Sequence, residues 1–256
     1  MLTNLMAARM PLRSMRPAAR ALCLLFLCAL APLASASTST VQVGKVSVEV
    51  PTPDGYIRIT PEMNGLLERL ESVTPATNVP LALYLSDQEL DKALSGEPFM
   101  MKRYWAIQAS KEALDTPFTP VDFARMKEFL LSQQQQIIER LKRDMPAVMN
   151  DSFGKISQEL KEQARVQPGG IVTLPSHYDD ATSMANSLVA RVELANGSAQ
   201  PDVVVVTVTY TIVNVGERLI FLYVYGQEDD LEWTREQAKA WSAAVVATNQ
   251  PQLKKP

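Results

Sequence analysis

The run Asp202-Val-Val-Val-Val-Thr-Val-Thr-Tyr-Thr-Ile-Val213 constrains the fold of this chain more than any other segment. Its β-branched side chains crowd a helix and suit a pleated strand. Counting by twos puts Val204, Val206, Val208, Tyr210 and Ile212 on one face and Val205, Thr207, Thr209 and Thr211 on the other. The first face is heavily apolar and the second is a threonine ladder. That contrast predicts an antiparallel strand with a more polar back. Asn214–Arg218 turns the chain into Leu219–Tyr225, which is apolar on both faces and so is predicted to be central. A further strand, Ser187–Leu194, leads in through Ala195–Ser198, where Asn196-Gly197 suits a hairpin turn.

The rest of the chain alternates strands and helices. Val41–Val50 alternates apolar and polar and reads as one strand, Pro51–Gly55 as a turn, and Tyr56–Ile59 as the returning strand of a hairpin. Thr60-Pro61-Glu62 opens a helix with the stripe Met63, Leu66, Leu67 and Leu70. Val79–Leu85 and Arg103–Ala109 are strand regions. Between them, the capping box Ser86–Glu89 opens a short helix through Leu94. Thr119–Asp122 caps the longest predicted helix, with Phe123, Met126, Leu130, Ile137, Leu141 and Met145 on one side and an interruption near Gln133–Gln136. Pro146 kinks or ends it, a second helix carries Met149, Phe153, Ile156 and Leu160, and Pro168–Gly170 terminates the helical block. Both stripes are expected to pack on a sheet, the alternative being a groove for a partner helix. Ile171–Leu174 is a short strand. After the acidic loop Glu228–Glu232, a capping box at Thr234–Gln237 opens a closing helix with Ala238, Trp241, Val245 and Thr248 on one face. The expected fold is α+β: a mostly antiparallel sheet covered by helices, an α/β/α sandwich with a long helical insertion. It would form one domain over residues 37–248, with the helical block at 119–165 and a flexible tail at 249–256.

Residues 1–36 read as an address. Arg9, Arg13, Arg16 and Arg20 precede the apolar stretch Ala21–Leu30, Pro32 breaks it, and Ala34-Ser35-Ala36 offers a signal peptidase its small residues. The apolar core is too short for a membrane span, which takes about 20 residues. Leu27 stands before Cys28 where a lipid-anchor motif wants a small residue. Met15 would begin a more compact signal than Met1. Cleavage after Ala36 leaves 220 residues, and loss of the four leader arginines takes the net charge from −3 to −7. Cys23 and Cys28 are both in the leader, so the mature chain has no thiol, and thiolate metal sites and cysteine nucleophiles are excluded from it. The acidic balance argues against a nucleic-acid partner. The expected location is the periplasm or the exterior, with no transmembrane span after signal removal.

The passage with the most family character is the end of the chain. There two long strands join at Asn214–Arg218, the second carrying Phe221, Tyr223 and Tyr225, and an acidic loop and an amphipathic helix follow. With the opening Pro53-Asp-Gly-Tyr56 and the helix after it, this resembles the PsbP-type α/β/α sandwich over both ends, about half of the mature chain. The helices at Val121–Arg165 match less well and look like an insertion. The resemblance implies an exported or peripheral protein that binds a larger assembly and has no active site; no binding residue transfers position by position.

Catalytic signatures are scarce. His177 is the only histidine and sits in Pro175-Ser-His-Tyr-Asp-Asp180, which reads as a polar loop. A Ser–His–Asp device would need it, with Asp179 or Asp180 as orienter, and no G-x-S-x-G elbow exists to present the serine. One histidine and no mature cysteine exclude a His-rich zinc site. Glu228, Asp229, Asp230 and Glu232, like Asp179 and Asp180, lack the spacing of a calcium loop. Pro168–Gly170 lacks the Lys-Ser/Thr of a phosphate loop. Trp105 and Trp241 read as core. No cofactor is expected. The reading is a non-catalytic interaction module with a protein partner in the cell envelope, its candidate contact residues being His177, Asp179, Asp180, Glu228, Asp229 and Asp230. The alternatives are a hydrolase using His177 and a carrier of a small apolar ligand. N-terminal sequencing of the protein recovered from its native cells should begin at Ser37. A chain that keeps its leader would overturn the export reading.

Overall fold

The computed structural model describes residues 37–63, 66, 74–95, 101–133, 136, 139, 140, 143, 165–195 and 202–250. The expected leader, the expected helix over Met149–Leu160 with Pro146, the expected turn at Asn196–Ser198 and residues 251–256 lie outside them, as do Leu67 and Leu70.

Among the described residues nine strands form two sheets. Strands β1 (Thr38–Val43) and β2 (Val46–Pro51) make a separate antiparallel hairpin. The main sheet contains β3 (Tyr56–Arg58), β4 (Asn78–Ser86), β5 (Tyr104–Ser110), β6 (Arg165–Asp179), β7 (Ser183–Ala195), β8 (Asp202–Val215) and β9 (Arg218–Gln227). Their order is β3-β4-β5-β9-β8-β7-β6, with every neighbour antiparallel. Two meanders thus meet along β5 and β9, and β9 is central, as its two apolar faces predict. Helices α1 (Asp87–Ser95), α2 (Pro120–Ser132) and α3 (Leu231–Asn249) complete the described elements. No helix among the described residues is long and apolar enough to cross a membrane.

Strand register sorts the core into two layers. Trp105 and Ile107 of β5 pair with Val224 and Leu222 of β9, and all four face the β1–β2 hairpin and α3. There they meet Val41, Val43, Val48 and Val50 from the hairpin and Trp241 and Val245 from α3. Trp105 and Trp241 pack edge to face at 5.0 Å, and the Trp241 indole N–H donates to the Pro51 carbonyl at 2.8 Å. On the opposite side α1 inserts Leu90 among Ile59, Leu83, Leu85 and Ala106. Helix α2 there inserts Phe123 against Ile212 and Leu219. The α+β sandwich expected from sequence is therefore the observed architecture.

Several local expectations are corrected. The strand Val41–Val50 is a hairpin turning at Gly44-Lys45, and Tyr56–Arg58 pairs with β4 instead. Gly44 adopts φ +59°, and a Cβ there would lie 2.6 Å from the Leu114 carbonyl oxygen, so the turn needs glycine. The threonine ladder of β8 is the deeper face: Thr207, Thr209 and Thr211 are wholly buried. Threonine has the shape of valine and a hydroxyl that can find a buried partner. Thr209 Oγ1 lies 2.9 Å from both Ser187 Oγ and Thr234 Oγ1. The small α3 residues Thr234, Ala238 and Ser242 let the helix settle onto that belt.

Helix α3 starts at Leu231, directly after a 3-10 turn at Glu228–Asp230, so Thr234–Gln237 is not its cap. The Thr234 hydroxyl instead donates to the Leu231 carbonyl from within the helix. Thr248 is exposed. Asn249 closes α3, its amide donating to the Glu49 carbonyl at 2.7 Å and accepting the Glu49 N–H at 2.9 Å, so this residue is not part of a loose tail. Pro168–Gly170 lies inside β6, at an edge bulge where a missing N–H breaks no ladder. Helix α2 ends at Ser132, where the glutamine run interrupts its stripe. The capping box at Thr119–Asp122 forms as the sequence predicts, whereas at Ser86–Glu89 the Ser86 hydroxyl accepts the Glu89 N–H but the Glu89 carboxylate takes that hydroxyl and the Lys102 and Arg103 N–H groups.

A Cβ on Gly226 would meet Asp230 Cβ at 2.5 Å and Thr234 Cγ2 at 3.0 Å. Gly226→Ala should therefore force β9 and α3 apart and cost about 1–3 kcal/mol, read as a lower urea midpoint at unchanged slope. A midpoint equal to wild type would contradict this packing.

Candidate functional site

Register alone assembles a row of tyrosines on the α1 and α2 face of the sheet. Tyr104 of β5 is paired with Tyr225 of β9, and Tyr223 of β9 with Tyr210 of β8. Side chains of paired residues point the same way, so the four rings run across three strands. Tyr104 and Tyr225 stack at 4.0 Å with 8° between their planes. Tyr223 lies 6.1 Å from Tyr225 and 6.2 Å from Tyr210. Burial pushes the hydroxyls of all four above their ordinary range, so they remain neutral phenols.

Beside the stacked pair is a cavity of about 410 Å³, within the size range of small-molecule sites of about 300–1,000 Å³. Tyr104 and Tyr225 form one wall. Ala106 and Gln108 line the floor, and Ile59, Pro61 and Leu83 close the β3–β4 side. The hollow exists because β5 places the small Ala106 between Tyr104 and Gln108 on this face. Gln108 is buried, and its amide oxygen accepts the Asn78 amide at 2.8 Å. The exposed Glu62 stands at the mouth, and Arg58 also lines the cavity, although its pairing with Tyr84 turns its guanidinium to the hairpin side. Arg58 donates to the carbonyls of Thr40 at 3.0 Å and Leu81 at 3.2 Å.

The residues singled out from sequence lie elsewhere, in two groups. His177 is in β6, not in a loop. Residues Leu174–Tyr178 oppose only Ser187–Ala185, and this bulge turns His177 towards α3. The ring is half-buried, and neither nitrogen has a hydrogen-bond partner among the described residues. Its pKa is lowered chiefly by burial and further by Arg235 and Lys239, with Glu232 opposing. The Asp179 carboxylate takes the Lys127 ammonium of α2 at 2.5 Å. Asp180 accepts the Thr182 and Ser183 N–H groups, each at 2.7 Å, the hydroxyls of both residues, and the Tyr178 hydroxyl. Partial burial raises its pKa, but these donors outweigh that and hold it at about 2. Neither aspartate orients the imidazole, so the triad considered from sequence is not assembled.

Asp230 is buried, and the Arg103 fork grips it, Nη2 to Oδ1 at 2.5 Å and Nε to Oδ2 at 3.1 Å. Its second oxygen also accepts the Gln227 N–H at 2.9 Å. Arg103, with a smaller contribution from Gln227, holds the Asp230 carboxyl below its usual range. Arg103 also lies 4.3 Å over the Trp233 ring. Glu228 and Asp229 are exposed on the 3-10 turn. Among the described residues no three His, Cys, Asp or Glu side chains are grouped to hold a metal ion.

The sequence places Tyr104, Tyr210, Tyr223 and Tyr225 in strands but does not bring them together, and it gives Arg103 no role. The missing information was strand order: only the β5–β9 and β8–β9 registers bring these residues together.

No protein-family model matches the chain, and no curated protein does so. Solved structures do. The chain resembles, at the level of fold, the cyanobacterial PsbP protein CyanoP from Synechocystis. Identity is 10%, coverage is 85% of this chain and 94% of that one, and the TM-score is 0.32. It is also similar to the Ran-binding protein Mog1p of Saccharomyces cerevisiae, at 9% identity over 84% of this chain and 95% of that one, with a TM-score of 0.30.

The depressed His177 pKa has a definite sign. Below its ordinary value of 6.5 the unfolded chain binds a proton that the folded chain resists, so stability falls as pH drops through that value. Thermal melts from pH 7.5 down to 5 should show a steeper loss for wild type than for His177→Phe. Parallel curves would show that the imidazole protonates without strain.

Proposed function

We propose that this chain is an exported, non-catalytic binding module that works against a protein of the cell envelope. The observation that carries the reading is the surface of α2. Phe123, Met126 and Leu130 pack inward, yet Val121, Phe129 and Leu131 on the opposite arc are 60%, 63% and 44% exposed. With the exposed Arg125 and Glu128 between them, these three side chains give the outward arc the mixed apolar and charged character of a partner surface. The leader at residues 1–36 supports placing the cover outside the cytoplasm, in the periplasm or beyond it. The candidate chemistry points the same way: the aspartates nearest His177 in sequence are committed to Lys127 and to the Thr182–Ser183 turn, and Asp230 to Arg103.

A photo-crosslinking side chain at Val121, introduced in the native envelope, should yield one discrete adduct. Phe129→Glu should abolish that adduct without lowering the melting temperature. Recovery of free monomer only would overturn the proposal. So would a large fall in melting temperature for Phe129→Glu, because the arc would then be covered by this chain itself. The hydrolase reading is tested separately: ester, amide and glycoside substrates should turn over no faster with wild type than with His177→Ala.

A further inference from the structure

We infer that the cavity beside Tyr104 and Tyr225 is a binding site for a small, neutral, aromatic molecule. The inference stands apart from the protein-partner reading, since the cavity and the exposed arc of α2 are built from different residues.

Four features of the cavity define its ligand. The first is its wall. A pair of parallel tyrosine rings offers aromatic surface, and aromatic partners gain from offset or edge-on contact with such rings beyond the area they bury. The second is vacancy. Ala106 is the small residue in a row whose neighbours on the same face are Tyr104 and Gln108, and it lines one side of the 410 Å³ cavity. The hollow opens to solvent beside Glu62, so an apolar body that enters it removes the surfaces of Leu83, Ile59 and two tyrosines from water and gains dispersion contact with them.

The third feature is charge. The arginine that lines the cavity turns its guanidinium to the hairpin side of the sheet, donating from Nη1 to Thr40 and from Nη2 to Leu81. The glutamate at the mouth is exposed, and its carboxylate is held ionised by the Thr60 hydroxyl. An anionic ligand would therefore meet a carboxylate and a cation committed elsewhere. The fourth feature is the set of polar groups inside, the Tyr104 and Tyr225 hydroxyls and the Gln108 amide, all uncharged. They can donate to or accept from a hydroxyl, carbonyl or ring nitrogen on the ligand, and so fix its orientation.

The test uses the mature chain and N-phenyl-1-naphthylamine, a neutral aromatic probe whose fluorescence rises in apolar surroundings. Titration should saturate at one probe per chain. Ala106→Leu fills the void and should weaken binding by about tenfold or more, since one methylene of misfit in an apolar pocket has an effect of that order. Near-ultraviolet circular dichroism establishes that the variant keeps its packed core. If it does not, the same titration is followed on wild type by the ring resonances of Tyr104 and Tyr225, which should shift while that of Tyr178, in β6, stays still. An anionic naphthalene sulfonate should bind more weakly than the neutral probe. No saturable binding, equal binding by folded Ala106→Leu, or binding that leaves both tyrosines unmoved would overturn the inference. None of these results touches the crosslink at Val121, so the two readings fail separately.

Discussion

The pairing of β5 with β9 is the contact on which the remaining structure depends. It joins two meanders that lie far apart in the chain, from Tyr104↔Tyr225 to Gln108↔Phe221. Because strands alternate sides with period two, this one register decides the content of both layers. It sends Trp105, Ile107, Leu222 and Val224 to the side of the valine hairpin and α3, and the tyrosines to the side of the cavity. A slip by one residue would drive two indole-packed positions into the tyrosine layer and strand the tyrosines beneath α3.

The other layer is secured where β9 becomes α3. Gly226 lets the chain pass against Asp230, Asp230 is gripped by Arg103 at the entry to β5, and Thr234 settles on Thr209. Within this junction a charged pair, a glycine and a hydroxyl belt each act on the neighbour of another. An Asp–Arg fork that is partly exposed contributes modestly to stability. Its chief effect is geometric, since two parallel N–H bonds fix the angle at which the helix leaves the sheet.

The sequence announces strands and helices well where periodicity has one meaning. β4, β5, β8, β9 and the α2 cap were all legible, because alternation and capping are local properties. The errors have physical causes of the same kind. In the first hairpin the valines run 41, 43 and then 46, 48, 50, and that change of phase at Gly44-Lys45 is the mark of a turn when strict alternation is demanded. The threonine face was misjudged because a hydroxyl signals polarity while its volume signals a core, and only the arrival of α3 decides between them. His177 and the tyrosine row were illegible as sites. A bulge in β6 and the order of three strands place them, and neither is encoded within any short window of sequence.

The amide of Asn249 lies on the backbone of Glu49, and the Trp241 indole lies on Pro51. The earliest described element of the chain is therefore completed by the latest. Until α3 has been made, Val41, Val43, Val48 and Val50 have only part of their cover, and a two-stranded ribbon is marginal by itself in water. Closing so long a loop is slow and cannot be anticipated by local structure. A chain cut short before α3 would accordingly leave its first ribbon unlatched, with those four valines open to any other apolar surface they met.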